Sequence, residues 1–177
     1  RAPHFNADVT GWNLQNVTNM SYMFGGCSSF IGTGLSTWRV NDSTNSSSLD
    51  LHQMFRNCTN LGNNTDITIS GTLWDLSSVI STQLMFNGCV NLGNNASVVF
   101  DDWNLSNCTN CGQMFNSTFG YNVTDYIPST SQSMRNWTIG SSSTLTKCTS
   151  MFTDNNGAAR APHFNADVTG WNLQNVT

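Results

Sequence analysis

WNLQNVTNMSYMFGGCSSF, residues 12–30, contains the pattern on which the whole sequence is built. Its Met-Phe pair returns at intervals of 31, 31, 29 and 37 residues, and a Trp precedes each pair. The pairs are Met23-Phe24, Met54-Phe55, Met85-Phe86, Met114-Phe115 and Met151-Phe152. The Trp residues are Trp12, Trp38, Trp74, Trp103 and Trp137, and Trp171 begins the next repeat. A fixed period of this length is typical of repeat proteins.

The period predicts a β-rich repeat solenoid with about five coils. One coil cannot bury its own apolar face, whereas a stack of coils places equivalent side chains in columns and makes a continuous core. Alternating apolar and β-branched residues, as in Thr72–Leu76, predict one short strand near each Trp. The approach to Met-Phe spaces apolar residues by three and four, which fits a short helical turn or a loop. Extra residues at 45–48 and 141–143 are expected to bulge at the surface.

The first eighteen residues, Arg1–Thr18, return unchanged as Arg160–Thr177. The repeat unit is therefore 177 − 18 = 159 residues. We expect residues 1–159 to form one solenoid unit and residues 160–177 to begin the next identical unit of a longer periodic polymer, preceded by a signal peptide. The alternative is a terminal segment duplicated within a closed domain.

The pattern from Trp12 to Phe30 resembles the repeat of BspA-type leucine-rich-repeat surface proteins. Cys58 and Cys89 keep its Met-Phe-x-x-Cys signature, whereas Thr118 and Asn155 stand where that Cys is expected. The resemblance implies leucine-rich-repeat-like coils in a secreted or surface-displayed protein with roles such as adhesion. It provides no catalytic residues to transfer.

Charge and motif content exclude several function classes. Charged residues make up 9% of the chain and its net charge is −4, which argues against nucleic-acid binding. The 159-residue unit has few acid–base groups: its histidines are His4 and His52, its carboxylates are Asp alone, and Asp101-Asp102 is the sole adjacent pair. The sequence has no calcium loop, phosphate-binding Gly loop, nucleophile elbow or apolar run of membrane-spanning length. We predict no enzyme activity, no metal and no cofactor, with covalent glycans as the only added groups.

Asn-x-Ser/Thr sequons are roughly twice as frequent as chance predicts. The candidate N-glycosylation residues are Asn16, Asn19, Asn41, Asn45, Asn57, Asn63, Asn95, Asn104, Asn107, Asn116, Asn122, Asn136 and Asn175. The other explanation is that Asn, Ser and Thr are the favoured residues of coil corners. We expect at least half of the sequons to carry sugar. Asn16 and Asn107 both stand seven residues before a Met, so the two are expected to be modified alike.

Six cysteines without metal-like spacing indicate disulfides in an oxidising compartment. Cys108-x-x-Cys111 could also be half of a redox or zinc motif, but this alternative is weaker than a disulfide because the motif lacks a second Cys pair and a nearby His. Strand spacing of about 4.8 Å between coils suits the Cα separation of a disulfide, about 4.4–6.8 Å. Pairing within columns predicts Cys27–Cys58 and Cys111–Cys148, which leaves Cys89–Cys108 by elimination.

Together these features predict an extracellular structural protein that forms a glycosylated, head-to-tail filament. Its partner is the next copy of the same unit, because open head-to-tail repetition generates filaments. In such a filament Trp171 packs beyond Trp137 as Trp38 packs beyond Trp12. The alternative is a cell-surface adhesin, a module that binds carbohydrate or protein on an exposed face.

Overall fold

The computed structural model describes residues 2–41, 48–118, 134, 136–139, 147–153, 171 and 173. This part of the chain is β-rich, with very short strands and almost no helix. The strands are β1 Asn13–Leu14, β2 Arg39–Val40, β3 Leu49–Asp50, β4 Ile67–Thr68, β5 Val79–Ser81, β6 Val98–Val99, β7 Asn104–Leu105 and β8 Thr138–Ile139. One 3-10 helix covers Leu35–Thr37.

Every strand pairs in parallel with a strand about one sequence repeat away. The pairs are β1 with β2, β3 with β5, β4 with β6 and β7 with β8. Parallel neighbours need a long connection between them, and here that connection is the remainder of the repeat. Leu14 lies opposite Val40, and Leu105 lies opposite Ile139, so the predicted strand near each Trp is confirmed in these repeats.

A line of parallel bridges runs through five successive repeats. It joins residues that each stand four positions before a Met-Phe pair: Asn19, Asp50, Ser81, Asn110 and Lys147. Their spacings of 31, 31, 29 and 37 residues are those of the Met-Phe pairs. The spacing of the Met-Phe pairs in the sequence is therefore the same as the spacing between backbone-paired residues of neighbouring repeats.

Between these bridges and the Met-Phe pairs, backbone amides alternate between two kinds of partner. The amides of Met20, Tyr22, Phe24 and Gly26 donate to carbonyls of the next repeat. Between them, the amides of Met23 and Gly25 donate three residues back, and that of Ser21 donates to the Asn19 side chain, which closes tight turns. The same alternation recurs at three further boundaries, giving sixteen hydrogen bonds of 2.7–3.1 Å between repeats.

This alternation corrects the predicted helical turn. The residue before each Met has a positive φ of 54–58°, which a right-handed helix does not contain. These residues are Tyr22, Gln53, Leu84, Gln113 and Ser150. Left-handed backbone is unfavourable for side chains other than Gly, and the hydrogen bonds to the next repeat offset that cost. The three-and-four spacing of apolar residues therefore arises from a series of turns.

Two aromatic columns form the centre of the core. The rings of Phe24, Phe55, Phe86, Phe115 and Phe152 stack at centroid distances of 5.4–5.6 Å, within 11° of parallel. The indole of Trp38 stacks on Trp12 at 5.7 Å and on Trp74 at 5.8 Å, and Trp103 stacks on Trp137 at 4.6 Å. Each such pair contributes about 0.5–1.5 kcal/mol beyond the burial of its area. The recurring Trp and Met-Phe residues thus form the core.

The Trp side chains also hydrogen-bond to neighbouring repeats. The Nε1 of Trp38 donates to the Val9 carbonyl at 2.8 Å, and that of Trp137 donates to the Phe100 carbonyl at 2.8 Å. Among the described residues, the buried Nε1 of Trp74 has no partner. The predicted bulges at 45–48 and 141–143 lie outside the described residues except for Ser48, as does segment 160–177 except for Trp171 and Leu173.

Replacing Phe86 with Ala should lower the free energy of unfolding by about 3–5 kcal/mol. The ring lies between Phe55 and Phe115, so its loss leaves a cavity in the middle of the column. Val90→Ala is the control, because Val90 is 39% exposed and should cost less than about 1 kcal/mol. Urea unfolding measures both variants, and equal costs would contradict a core built on this column.

Candidate functional site

Among the described residues seven sequon asparagines are exposed, of which Asn95 and Asn107 donate a hydrogen bond to a neighbouring repeat. The other five are Asn16, Asn19, Asn57, Asn104 and Asn136. At Asn19 the side-chain oxygen accepts hydrogen bonds from the backbone amide and hydroxyl of Ser21, at 2.9 and 2.6 Å. That turn occupies the oxygen and leaves the amide nitrogen, the atom to which a glycan attaches, directed away from the contact. These five sites have room for sugar.

Two sequon asparagines are buried and hydrogen-bonded through that nitrogen. Asn41 is 7% exposed and donates to the Ser78 hydroxyl at 2.7 Å. Asn116 is 0% exposed and donates to the Thr153 hydroxyl at 2.8 Å. A glycan at either position would break a buried hydrogen bond and displace the neighbouring repeat, so neither site is compatible with sugar in this fold.

Asn63 and Asn95 belong to ladders of side-chain amides. Asn94 donates to the side-chain oxygen of Asn63 at 2.8 Å, and Asn95 donates to that of Asn64 at 3.3 Å. Asn91 makes the same contact with Asn60 at 3.1 Å. The stacked amides join two adjacent repeats at their corner, so turn chemistry accounts for part of the sequon excess.

Asn16 and Asn107 differ in their surroundings despite their equivalent positions. The Asn107 amide donates to the Ser77 carbonyl at 2.7 Å, whereas Asn16 makes no such bond within the described residues. Their predicted joint modification stays a prediction. The sequons at Asn45, Asn122 and Asn175 lie outside the described residues.

The six cysteines are thiols in this structure and fall into two groups of three. Cys27, Cys58 and Cys89 form a buried column. The Cys58 Sγ donates to the Phe24 carbonyl at 2.9 Å, and the Cys89 Sγ donates to the Phe55 carbonyl at 3.1 Å. Burial, reinforced by the neighbouring Cys27, raises the pKa of Cys58 to about 12, and burial also raises the pKa of Cys89 well above its usual value. These thiols are protonated at neutral pH.

Thr118 occupies the position of the missing cysteine in the fourth repeat and makes the same contact. Its hydroxyl donates to the Phe86 carbonyl at 2.8 Å, and the residue is 1% exposed. The column therefore requires a small buried donor directed at the carbonyl of the preceding Phe. A thiol and a hydroxyl both meet that requirement.

Cys108, Cys111 and Cys148 form the second group. The Sγ atoms of Cys108 and Cys111 lie 3.3 Å apart, and the bridge between Asn110 and Lys147 places Cys148 beside Cys111. Cys108 and Cys111 are fully buried, whereas Cys148 is partly exposed. The Cys111 contact lowers the pKa of Cys108 to about 7 and lowers that of Cys148. The pKa of Cys111 is raised, first through its bond to Cys108.

The predicted pairs Cys27–Cys58, Cys89–Cys108 and Cys111–Cys148 stay predictions, because all six sulfurs are free thiols here. The Cys108 sulfur nevertheless lies next to the Cys111 sulfur. Sequence reasoning placed Cys111 and Cys148 in one column but missed this association, since Cys108 lies outside both columns. In the sequence, the Cys-x-x-Cys spacing was the only indication that Cys108 and Cys111 lie close together.

An exposed polar cluster surrounds Tyr22, which is 54% exposed. Gln53 donates to the Tyr22 hydroxyl at 2.7 Å, and the His52 ring packs edge-on against the Tyr22 ring at 4.8 Å. His52 Nδ1 lies 2.9 Å from Asp50 Oδ2, and Arg56 donates to Gln53 at 2.8 Å. The sequence did not indicate this cluster, because Tyr22 lies in one repeat and its partners lie in the next, with Gln53 31 residues away.

Comparison with known families gives one match. A family model described as Mycoplasma protein of unknown function, DUF285, matches residues 1–127 and 126–177. The chain belongs to the DUF285 family. Searches of curated proteins and of solved structures give no match. Membership is compatible with the BspA-type surface repeat expected from the sequence and with a place at the cell surface.

Two further findings apply to the residues of the DUF285 chain that the structure describes. No helix there has the length and apolar character needed to cross a bilayer. In the same residues, His, Cys and Asp side chains form no group of three or more suited to hold a metal ion.

Sugar should be found on the exposed sequons and be absent from Asn41 and Asn116. Exposure of the amide nitrogen decides this, because the buried pair would lose hydrogen bonds to Ser78 and Thr153. Glycopeptide mass spectrometry of the protein isolated from its native source measures both sets in one digest. Sugar on Asn41 or Asn116 would contradict this assignment, and bare asparagine at all seven exposed sites would attribute the sequons to turn chemistry.

Proposed function

We propose that this DUF285 chain is a section of an extracellular structural filament, a continuous solenoid with glycans on its surface. Its 159-residue units join head to tail, and the core columns of one unit continue into the next. The function of such a protein is mechanical extension, and the proposal assigns it no catalysis and no cofactor.

The observation that carries the proposal is the packing of Trp171. Its indole stacks on Trp137 at 5.7 Å and 10°, as Trp38 stacks on Trp12 at 5.7 Å and 12°. Its Nε1 donates to the Met134 carbonyl at 2.9 Å, just as the Nε1 of Trp38 donates to the Val9 carbonyl. Trp171 is the copy of Trp12 in the returning segment. This packing supports the proposal that a second unit extends the column of the first.

The first repeat supports the same arrangement. Trp12 is 39% exposed and Met23 is 37% exposed, whereas their equivalents Trp38 and Met54 are fully buried. Because residues 1–18 and 160–177 are identical, a preceding unit would cover Trp12 as Trp137 covers Trp171. An interface of this kind is head to tail and does not close, so it generates a fibre.

Glycans fit the composition of such a fibre. Only 9% of the residues are charged, and net charge is what normally keeps an extended surface soluble. Sugars on the exposed sequons would hydrate the faces between stacked repeats. They would also block the side-by-side association that a weakly charged fibre invites.

The adhesin alternative rests on the cluster around Tyr22. An exposed aromatic ring beside Gln53, His52 and Arg56 offers a stacking surface together with hydrogen-bond donors and acceptors, which suits a sugar ring or a polar peptide. Tyr22→Ala separates the two functions, because an adhesin loses its ligand whereas a filament keeps its length.

Replacing Trp171 with Ala should lower the free energy of unfolding by about 1–3 kcal/mol, because the half-buried indole covers Trp137. Leu173→Ala is the control from the same segment. Leu173 is 44% exposed, so its loss should cost less than about 0.5 kcal/mol.

Urea unfolding of the full 177-residue chain measures both variants. Equal, negligible effects would mean that segment 160–177 does not extend the core, and the head-to-tail proposal would fail.

A further inference from the structure

The two cysteine groups have different requirements. In the buried column, Thr118 replaces a cysteine and keeps the hydrogen bond to the preceding Phe carbonyl. Oxygen can therefore perform the structural role of Cys58 and Cys89. The second group differs, because the sulfurs of Cys108 and Cys111 contact each other and Cys148 lies beside Cys111.

The arrangement of the second group is linear, with Cys111 in the middle. Cys111 contacts Cys108 on one side, and the bridge between Asn110 and Lys147 places Cys148 beside it on the other. The backbone fixes it there, since its amide donates to the Lys147 carbonyl at 2.8 Å across the repeat boundary. Of the three, Cys148 is the one that solvent reaches, because Cys108 and Cys111 are fully buried.

We propose that Cys108, Cys111 and Cys148 form a thiol–disulfide exchange site, in which Cys148 reacts with a small-molecule disulfide and Cys111 resolves the product. The Cys148 thiolate attacks the external disulfide RSSR, forming Cys148–S–SR and releasing RS⁻. Cys111 then attacks the Cys148 sulfur, forming Cys111–Cys148 and releasing the second RS⁻, which takes up the Cys111 proton. The cysteine pair loses two electrons, and RSSR is reduced to two RSH.

Cys108 gives this disulfide an alternative partner. Attack of the Cys108 thiolate on the Cys111 sulfur forms Cys108–Cys111 and returns Cys148 to the thiol state, with no net change in oxidation. Since Cys111 takes part in both disulfides, the oxidised group holds one disulfide and one thiol. This differs from complete pairing of six cysteines, which would take Cys108 away from Cys111.

The acidities of the two outer thiols, Cys108 and Cys148, match their roles as attacking thiolates. Hydrogen bonding from Cys111 lowers the pKa of both outer thiols, and attack by a cysteine requires its thiolate. In the buried column, by contrast, burial raises the pKa of Cys58 and Cys89. The column should therefore be inert under conditions that oxidise the exchange site.

The test starts from the fully reduced 177-residue chain, mixed with oxidised glutathione in oxygen-free buffer at neutral pH. Samples are quenched with acid, alkylated and mapped by peptide mass spectrometry over time. Cys148 should be glutathionylated first, two thiols should then be lost to one disulfide, and that disulfide should contain Cys111. Cys111→Ser should retain glutathione on Cys148, and Cys148→Ser should slow disulfide formation at least about tenfold.

Cys58→Thr is the matched control, because Thr118 shows that a hydroxyl serves in that column, and it should oxidise as the unmodified chain does. Far-UV circular dichroism establishes that the variants fold, and the order of modification in the unmodified chain requires no variant. Modification of Cys58 or Cys89 before Cys148 would overturn the proposal. A disulfide without Cys111, or an unchanged rate in Cys148→Ser, would overturn it as well.

Discussion

The structure depends on one constraint: in each repeat, every second backbone amide around the Met-Phe pair donates to the following repeat. The amides between them close turns within their own repeat, so no residue there serves both purposes. Four hydrogen bonds per boundary set the register, and the register brings like side chains together. The Phe column is a consequence, since Phe24 N donates to Met54 O and Phe55 N donates to Met85 O, each at 2.9 Å.

Substitutions within the columns show which property each position requires. Thr118 replaces a cysteine because a buried donor of similar size is sufficient there. At the residue before Met, the requirement concerns the backbone instead, since Tyr22, Leu84 and Ser150 share a positive φ while their side chains differ. At the corners, Asn side chains stack because their amides donate and accept between repeats. From repeat to repeat of this chain, equivalent positions thus keep the same backbone or hydrogen-bond geometry even where the residue type changes.

The sequence predicted the features that follow directly from its period. The spacing of Met-Phe predicted columns of equivalent side chains, which the Phe rings form, and the returning segment predicted the stacking of Trp171 on Trp137. The helical turn was wrong, because a series of turns with left-handed residues spaces apolar side chains as a helix does. Tyr22, the first of these residues, has no sequence signal for its φ of 57°.

The candidate sites were less predictable, because they depend on contacts between repeats. Asn41 and Asn16 are both sequons, yet only the fold makes Asn41 a buried donor to Ser78. The cysteine exchange site likewise depends on the position of Cys108, which belongs to no column and becomes adjacent to Cys111 through the local turn. Periodicity indicates which residues are equivalent and does not indicate which of them solvent reaches.

The axial length added by each unit tests the continuous stack most directly. Small-angle X-ray scattering from chains of two, three and four 159-residue units gives the maximum dimension as a function of unit number. If the ladder continues across every junction, each unit of five repeats adds about 24 Å at strand spacing, with the cross-section unchanged. An increment that varies between units, or one that matches separate bodies joined by linkers, would contradict the account.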